Sequence, residues 1–368
     1  MHVVIFGNAE NRRTIAFCEA AAAKGLPPVI VIPYIDLLTG RTVADIPAGS
    51  IVKIDSPGEN EAVRALLIQR GLADKPVPAD LYIPEQGIIR YMRPWYTGFS
   101  QLLADIDKML MPREVIRMNN SQDIRIMFDK AACQQYLYEQ HIPVPRILPQ
   151  VTDYLSLVNT MEQSKMHRVF IKPAHASSAS GVIAFRKSGQ QVQAVSSADL
   201  TRTPAGIKLF NSLKVRTYTD PVDVTDLINR ILAEGVQIEE WLPKATLEDR
   251  YFDIRVLVIG GTARHTVIRT SKQVITNLHL GNKRGDIQTF LHAYGEEPLN
   301  AVRQLAEKTA ACFPATWYMG VDIMLTANSL RPYVLEVNAF GDLLPNLLDE
   351  GETCYEAEIS AILQQQSL

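Results

Sequence analysis

Two short apolar runs near the C-terminus constrain this chain most: Gly320-Val321-Asp322-Ile323-Met324 and Val334-Leu335-Glu336-Val337-Asn338. Residues two apart on a strand face the same way, so Glu336 and Asn338 project from one face about 7 Å apart. The turn at Ala327-Asn328-Ser329 is short enough to pair the runs as neighbours, and Asp322 then approaches from the adjacent strand. Carboxylate and amide oxygens with no nearby His or Cys select a hard cation. An incomplete oxygen shell suits magnesium, which keeps waters and takes further oxygens from phosphates. A buried acidic face without a cation is costly. The pattern therefore predicts a sheet hairpin built round magnesium and a nucleotide, with Asp322, Glu336 and Asn338 as metal ligands.

A chain of 368 residues suggests two or three domains. At 47% hydrophobic and 21% charged residues it sits near the average for soluble globular proteins. Lys plus Arg (37) nearly balances Asp plus Glu (40), so no overall field favours a nucleic-acid partner. Cys18, Cys133, Cys312 and Cys354 lie far apart with no C-x-x-C pair, which argues for reduced structural thiols. The first apolar stretch, Val3 to Phe6, is too short for a signal peptide and runs into Gly7 and Arg12-Arg13. No apolar run approaches the roughly 20 residues that span a bilayer. A cytoplasmic location with no membrane partner is expected.

Strand His2 to Phe6, a turn at Gly7-Asn8, helix Arg12 to Lys24 and strand Val29 to Ile32 form a βαβ unit, hence a parallel sheet. The turn lacks G-x-G-x-x-G and reads as structural. A helix is expected from Ser121 to about Gln140, stopped by Pro143 and Pro145. Strand Arg168 to Lys172 enters the small-residue loop Pro173 to Gly181 before Val182 to Phe185 resumes strand character. Further on, the pattern predicts helix Asp223 to Glu234, strands Gln237 to Trp241 and Phe252 to Ile259, helix Asn300 to Cys312, strands Gly320 to Leu325 and Tyr333 to Asn338, and a last helix near Tyr355 to Gln364.

Lys172 ends a strand beside a loop of Ala, Ser and Gly, where backbone N–H groups can approach phosphate oxygens while the lysine supplies charge. On strand Phe252 to Val258 the apolar residues alternate with Asp253 and Arg255. The polar face suits a ribose hydroxyl at Asp253 and a transferring phosphate at Arg255, with Arg269 and Lys272 adding charge from the next strand. His175 and His279 read as packing or capping residues.

In this order the segments resemble the ATP-grasp superfamily, and most closely its RimK-type carboxylate–amine ligases. The likeness runs from about Asp129 to Asn338. It rests on Asp129-Lys130, Phe170-Ile171-Lys172-Pro173, Ile238-Glu239-Glu240-Trp241-Leu242, Asp253-Ile254-Arg255, Thr276-Asn277-Leu278-His279-Leu280-Gly281, Gly320-Val321-Asp322 and Leu335-Glu336-Val337-Asn338. The resemblance implies an α/β (α+β) fold, in which an N-terminal parallel-sheet pre-ATP-grasp domain precedes a two-part ATP-grasp fold. The expected divisions are residues 1–115 for that first domain, 116–165 for a linker helix and connector, 166–237 for the lid and 238–368 for the metal-bearing subdomain.

By the same resemblance Lys130 and Lys172 hold ATP phosphates, with Ser178, Ser180 and Gly181 in the phosphate loop. Glu240 and Trp241 offer backbone groups to adenine, Asp253 reaches the ribose, and Asn277 faces the phosphates. Arg255 and Arg269 take the catalytic role at the transferred phosphoryl group. One or two magnesium ions, or manganese, accompany ATP. The implied reaction activates a carboxylate as an acylphosphate and passes it to an amine, releasing ADP and phosphate. The partners are a small-molecule or peptide substrate pair, with homo-oligomerisation a family habit. The nucleotide motifs equally fit a phosphotransferase or a catalytically reduced maturation or regulatory protein. Departures fall on the acceptor side: an Ala/Ser-rich phosphate loop, Ile275 and Leu280 where RimK-type proteins commonly carry arginines, and Phe340-Gly341-Asp342 in place of Pro-Gly.

Overall fold

A computed structural model gives the fold and describes residues 1–73, 75, 85, 87–204, 206–276, 282–342 and 344–365. The N-terminal layer contains strands β1 (Val3–Gly7), β2 (Ile30–Pro33), β3 (Ser50–Ile54) and β4 (Val115–Arg117), with helices α1 (Arg12–Ala23), α2 (Tyr34–Thr39), α3 (Glu61–Leu72) and α4 (Met92–Leu110). Its strands run parallel in the order β2-β1-β3-β4. The expected βαβ start is present: the continuous apolar run of β1 is buried on both faces, and Asn11 caps α1 by accepting from the Arg13 N–H at 2.9 Å. All four cysteines are free. Among the described residues no helix is long and apolar enough to cross a membrane.

The helix expected over 121–140 is two helices, α5 (Ser121–Phe128) and α6 (Lys130–Glu139). Asp129 breaks it by adopting extended backbone and accepting from the N–H groups of Ala131 and Ala132, so its side chain competes with the helical ladder. The break makes Lys130 the first residue of a new helix. Pro143 and Pro145 then tie the connector down, their carbonyls accepting from the Val334 N–H at 2.8 Å and the Gln134 amide at 2.9 Å.

An antiparallel sheet follows, built from β5 (Arg168–Pro173), β6 (Ile183–Ser188), β7 (Gln191–Thr203), β8 (Gly206–Tyr218) and β9 (Val236–Glu240) in the order β8-β7-β6-β5-β9. Helices α7 (Tyr154–Gln163) and α8 (Pro221–Leu232) cover one face, packing Leu157, Met161, Leu227 and Ile231 against Ile171 and Phe185. The long β7–β8 hairpin carries no strong alternation in sequence: Ala194 to Ala198 of β7 are all buried, Ser196 and Ser197 included, while Thr201 and Arg202 near the turn are exposed. The expected boundary at 237/238 falls inside β9, which pairs with β5 along its length.

The third sheet holds β10 (Thr246–Leu247), β11 (Arg250–Ile259), β12 (Thr262–Ser271), β13 (Lys283–Gly285), β14 (Tyr318–Leu325) and β15 (Pro332–Asn338). Its order is β13-β12-β11-β14-β15, all antiparallel, with β10 paired to β11. Phe252, Ile254, Val256, Val321 and Ile323 form its lower face and pack with residues of α9 (Ile287–Tyr294) and α10 (Glu296–Ala311). The last helix, α11 (Cys354–Gln365), returns to the N-terminal layer. There Glu358 meets Lys53 of β3 in a fully buried pair at 2.7 Å, with the Lys53 ammonium 3.5 Å from the Tyr318 ring centre.

Helices α3 and α4 touch backbone to backbone at Gly71 and Gly98. A Cβ on Gly98 would lie 1.9 Å from the Leu67 carbonyl oxygen, and one on Gly71 would lie 1.8 Å from that of Pro94. Overpacking of this kind costs about 1–3 kcal/mol. Gly98→Ala should therefore lower the unfolding free energy by about 2 kcal/mol in urea titration. A midpoint unchanged from the parent would mean the helices do not meet at this spot.

Candidate active site

The upper face of the third sheet carries a row of charges set by strand register. Arg269 on β12 lies opposite Asp253 on β11, Arg255 lies opposite Asp322 on β14, and Asp322 lies opposite Glu336 on β15. Arg255 grips Asp322 with two nitrogens: Nε donates to Oδ1 and Nη2 donates to Oδ2 at 2.9 Å. Its third nitrogen, Nη1, donates to Asp342 Oδ2 at 2.6 Å. Arg269 spans two acids, with Nε donating to Asp253 Oδ1 at 2.6 Å and Nη2 3.0 Å from Asp322 Oδ2. Gly320 makes room for this, since a Cβ there would stand 3.3 Å from Arg255 Cδ.

Burial alone would raise the Asp322 carboxyl; the Arg255 and Arg269 guanidiniums and their hydrogen bonds outweigh it and hold the group far below the usual carboxylate range. The same carboxylates keep both arginines firmly charged against the opposing pull of burial.

At one end of the row Lys130 Nζ lies 2.9 Å from Glu336 Oε1 and donates to the Ala176 carbonyl at 2.5 Å. The break before α6 thus ties the phosphate-loop candidate to the acidic strand, and the Lys130 N–H adds a bond to the Ala174 carbonyl at 3.1 Å. His175 packs at the loop's root, stacked on Tyr96 of α4 with ring centres 4.0 Å apart. Ser178 and Ala179 hold φ of 56° and 57°, a left-handed conformation that non-glycine residues rarely adopt. Among the described residues no protein group accepts from their backbone N–H groups.

Between this loop and the charge row lies a cleft of about 760 Å³. Phe170 of β5 and Val182, just before β6, face Val274 and Ile275 across it, with Leu242, Met324 and Leu335 on the remaining walls, an apolar slot fit for a flat ring. Lys172 enters from β5 and pairs with Glu239 of β9 at 2.5 Å. Ile275, a departure from the RimK pattern, is thus a wall of the slot.

Lys130, Lys172, Ser180, Glu240, Asp253, Arg269, Asp322 and Glu336 all line this one cleft. Gly181 is buried at the loop's root, Ser178 is exposed at its tip, and Arg255 lies behind Asp322. Asn338 donates to the Gly320 carbonyl at 3.4 Å on the row's outer end. Asn277 and His279 lie outside the described residues. The Glu240 and Trp241 N–H groups, expected to serve adenine, donate to the carbonyls of Arg146 and Arg168 at 2.8 and 3.4 Å. The Trp241 ring packs on Phe170 at 5.3 Å. Asp253, expected on a ribose, is 3% exposed and gives its oxygens to Arg269, Thr276 and Lys244, so it meets the cleft chiefly through the groups it holds.

Sequence reasoning passed over Glu239, Lys244, Thr276 and Asp342. Glu239, Thr276 and Asp342 stand inside segments quoted above for their likeness or departure, without a role of their own; Lys244 stands in none of them.

Among the described residues no cluster of three or more His, Cys, Asp or Glu has the geometry of a metal site. The all-oxygen set of Asp322, Glu336 and Asn338 sits on one face, and Glu336 is 32% exposed to the cleft side. An incomplete oxygen set of this kind fits magnesium. A cation there competes with Arg255 and Arg269 for the oxygens of Asp322.

A family model described as YheC/D like ATP-grasp matches residues 122–342. No curated protein matches the chain. Among solved structures, D-cycloserine synthetase DcsG superposes with a TM-score of 0.59 at 12% identity, covering 99% of each chain. The ATP-grasp ligase PsnB, complexed with minimal precursor, Mg and ADP, gives 0.54 at 16% identity over 99% of this chain and 98% of its own. A RimK domain ATP-grasp protein from Sphaerobacter thermophilus DSM 20745 gives 0.51 at 14% identity, covering 98% of each. At these identities the likeness is one of fold, and it extends over the whole length.

Asp322→Asn leaves two guanidiniums facing a neutral amide. Breaking a buried pair costs about 3–5 kcal/mol. Asp253 and Asp342 still compensate part of the charge, which puts the expected loss near about 3 kcal/mol. Because the folded-state pKa is depressed, the carboxylate's contribution is full above the unfolded pKa of about 3.9 and is lost as pH falls through the lower folded value. Urea titrations of both proteins should show a stability gap that is constant from about pH 8 to 5 and narrows below about pH 4. A gap that widens in acid would contradict the pairing.

Proposed function

The chain belongs to the YheC/D-like ATP-grasp family, and from that premise we propose that it is an ATP-dependent carboxylate–amine ligase. In the proposed reaction a substrate carboxylate oxygen attacks the γ-phosphorus of ATP; the bond to the bridging oxygen breaks and ADP leaves. An amine then attacks the acylphosphate carbon, phosphate departs, the nitrogen loses a proton, and an amide remains. The observation that carries this reading is the alternating charge row from Arg269 to Lys130 beneath a lid with an apolar slot.

The slot of Phe170, Val274, Ile275, Met324 and Leu335 takes adenine, and the Glu240–Leu242 segment borders it. Lys130, Lys172 and the N–H groups of Ser178 and Ala179 receive the phosphates, with Ser180 and Gly181 shaping the loop beside them; charge-assisted hydrogen bonds are strongest there. Asp322, Glu336 and Asn338 hold magnesium, which when bound neutralises phosphate charge. Arg269, which faces the cleft, steadies the transferred phosphoryl oxygens, and Arg255 acts with it once released from Asp322. The closed lid excludes water, which would hydrolyse an acylphosphate. The neighbours named above include a peptide-precursor ligase and a D-cycloserine synthetase, in keeping with either a peptide or a small-molecule substrate.

Incubation with ATP, magnesium and a fractionated cell extract should yield ADP and a product whose mass is that of two components less one water. A stable phosphorylated product with no amide would sink the ligase reading in favour of phosphotransfer. In the same assay Glu336→Ala should lower kcat/KM for ADP release about 100-fold or more and raise the magnesium concentration needed for half activity. Unchanged magnesium dependence would remove Glu336 from the metal set.

A further inference from the structure

With ATP in this cleft, one buried cation has no assigned task. Lys244 lines the cleft just past the end of β9, and its side chain is 9% exposed. Its ammonium donates to Thr276 Oγ1 at 2.8 Å and lies 3.5 Å from Asp253 Oδ2. Those contacts account for two of an ammonium's three N–H donors. Asp253 in turn accepts from Arg269 and from the Thr276 hydroxyl, so one carboxylate serves two cations and fixes the position of both.

The surroundings say what the remaining donor meets. Burial depresses the Lys244 pKa, Asp253 opposes that, and Arg269 and Lys172 press it down further. Lys172 has its own acid, Glu239, and Arg269 is shared with Asp322; among the described residues Asp253 is the one carboxylate within ion-pair range of Lys244. A neutral sugar hydroxyl would leave the repulsion among Lys172, Lys244 and Arg269 in place; an anion would relieve it. Nothing in the sequence resemblance assigns this lysine a role.

We propose that Lys244 contacts a phosphate of the bound nucleotide, with Asp253 and Thr276 as the positioning residues that fix its ammonium. The proposal rests on the nucleotide reading of the cleft and sharpens it. The phosphate cradle then runs along the wall from Lys244 as well as down from the lid.

The test is calorimetric binding of AMP-PNP, AMP and adenosine, at constant magnesium, to the parent chain, Lys244→Met and Thr276→Val, with thermal melts to confirm folding. Lys244→Met leaves Asp253 paired with Arg269. It should weaken AMP-PNP about 10- to 100-fold, as loss of a charged hydrogen bond does, and leave adenosine within about twofold. Weakened AMP binding assigns the contact to the α-phosphate; AMP binding unchanged assigns it further out, and either supports the proposal. Thr276→Val, which keeps the lysine, should give a smaller loss of the same pattern and carries the test alone should Lys244→Met not fold. Equal losses for adenosine, or none for AMP-PNP, overturn the phosphate contact while the nucleotide reading stands. A parent chain that binds none of the three overturns that reading and this proposal with it.

Discussion

Asp322 lies between two guanidiniums, and the arrangement of the cleft follows from that triple contact. A carboxylate at 4% exposure is untenable without nearby positive charge. Arg255 and Arg269 supply it, but two arginines around one acid leave an excess that Asp342 and Asp253 take up. Asp253 then anchors Lys244, and at the far end Lys130 answers Glu336. Each charge is sited by its neighbour's need. The face is therefore close to neutral as it stands, and a ligand that brings both signs, phosphates with a metal, can replace cation–carboxylate contacts by cation–phosphate and metal–carboxylate contacts without leaving a charge stranded.

A sheet is a suitable base for such an exchange. Neighbouring strands lie about 4.8 Å apart, so side chains opposite one another in register are held at ion-pair range. The bonding of β11 to β14 and of β14 to β15 sets Arg255, Asp322 and Glu336 in line. Beneath them Phe252, Ile254, Val321 and Ile323 are fully buried, which keeps the strands from shifting when the upper face changes partners.

How much of this could be read from the sequence depends on range. Strand alternation is local, so the polar face of Asp253 and Arg255 and the paired runs around Asp322 and Glu336 were legible, as was the parallel start of the chain. The break at Asp129 was not, because an aspartate inside a helical pattern becomes a cap only if its side chain turns back to the Ala131 and Ala132 N–H groups. Pairings such as Arg255 with Asp342 join residues distant in sequence and leave no periodic mark. Lys244 looked like any loop lysine; what distinguishes it is its contact with Asp253 of β11 and with Thr276, both remote from it in the local pattern. Ile275 drew notice only as a position where RimK-type proteins commonly carry arginine; its packing against Phe170 in the apolar slot was not legible.

That change at Ile275 bears on how the lid and base meet. Phe170 and Val182 on one side and Val274 and Ile275 on the other form one apolar cluster in which the two sides bury each other. Separating these residues exposes apolar surface at a cost of about 25 cal/mol per Å², which a flat ring inserted between them would offset with its two faces. A cation at position 275 would be desolvated by closure and would repel Lys172, so it would favour an open cleft. An isoleucine there makes contact between the two sides favourable on apolar grounds alone.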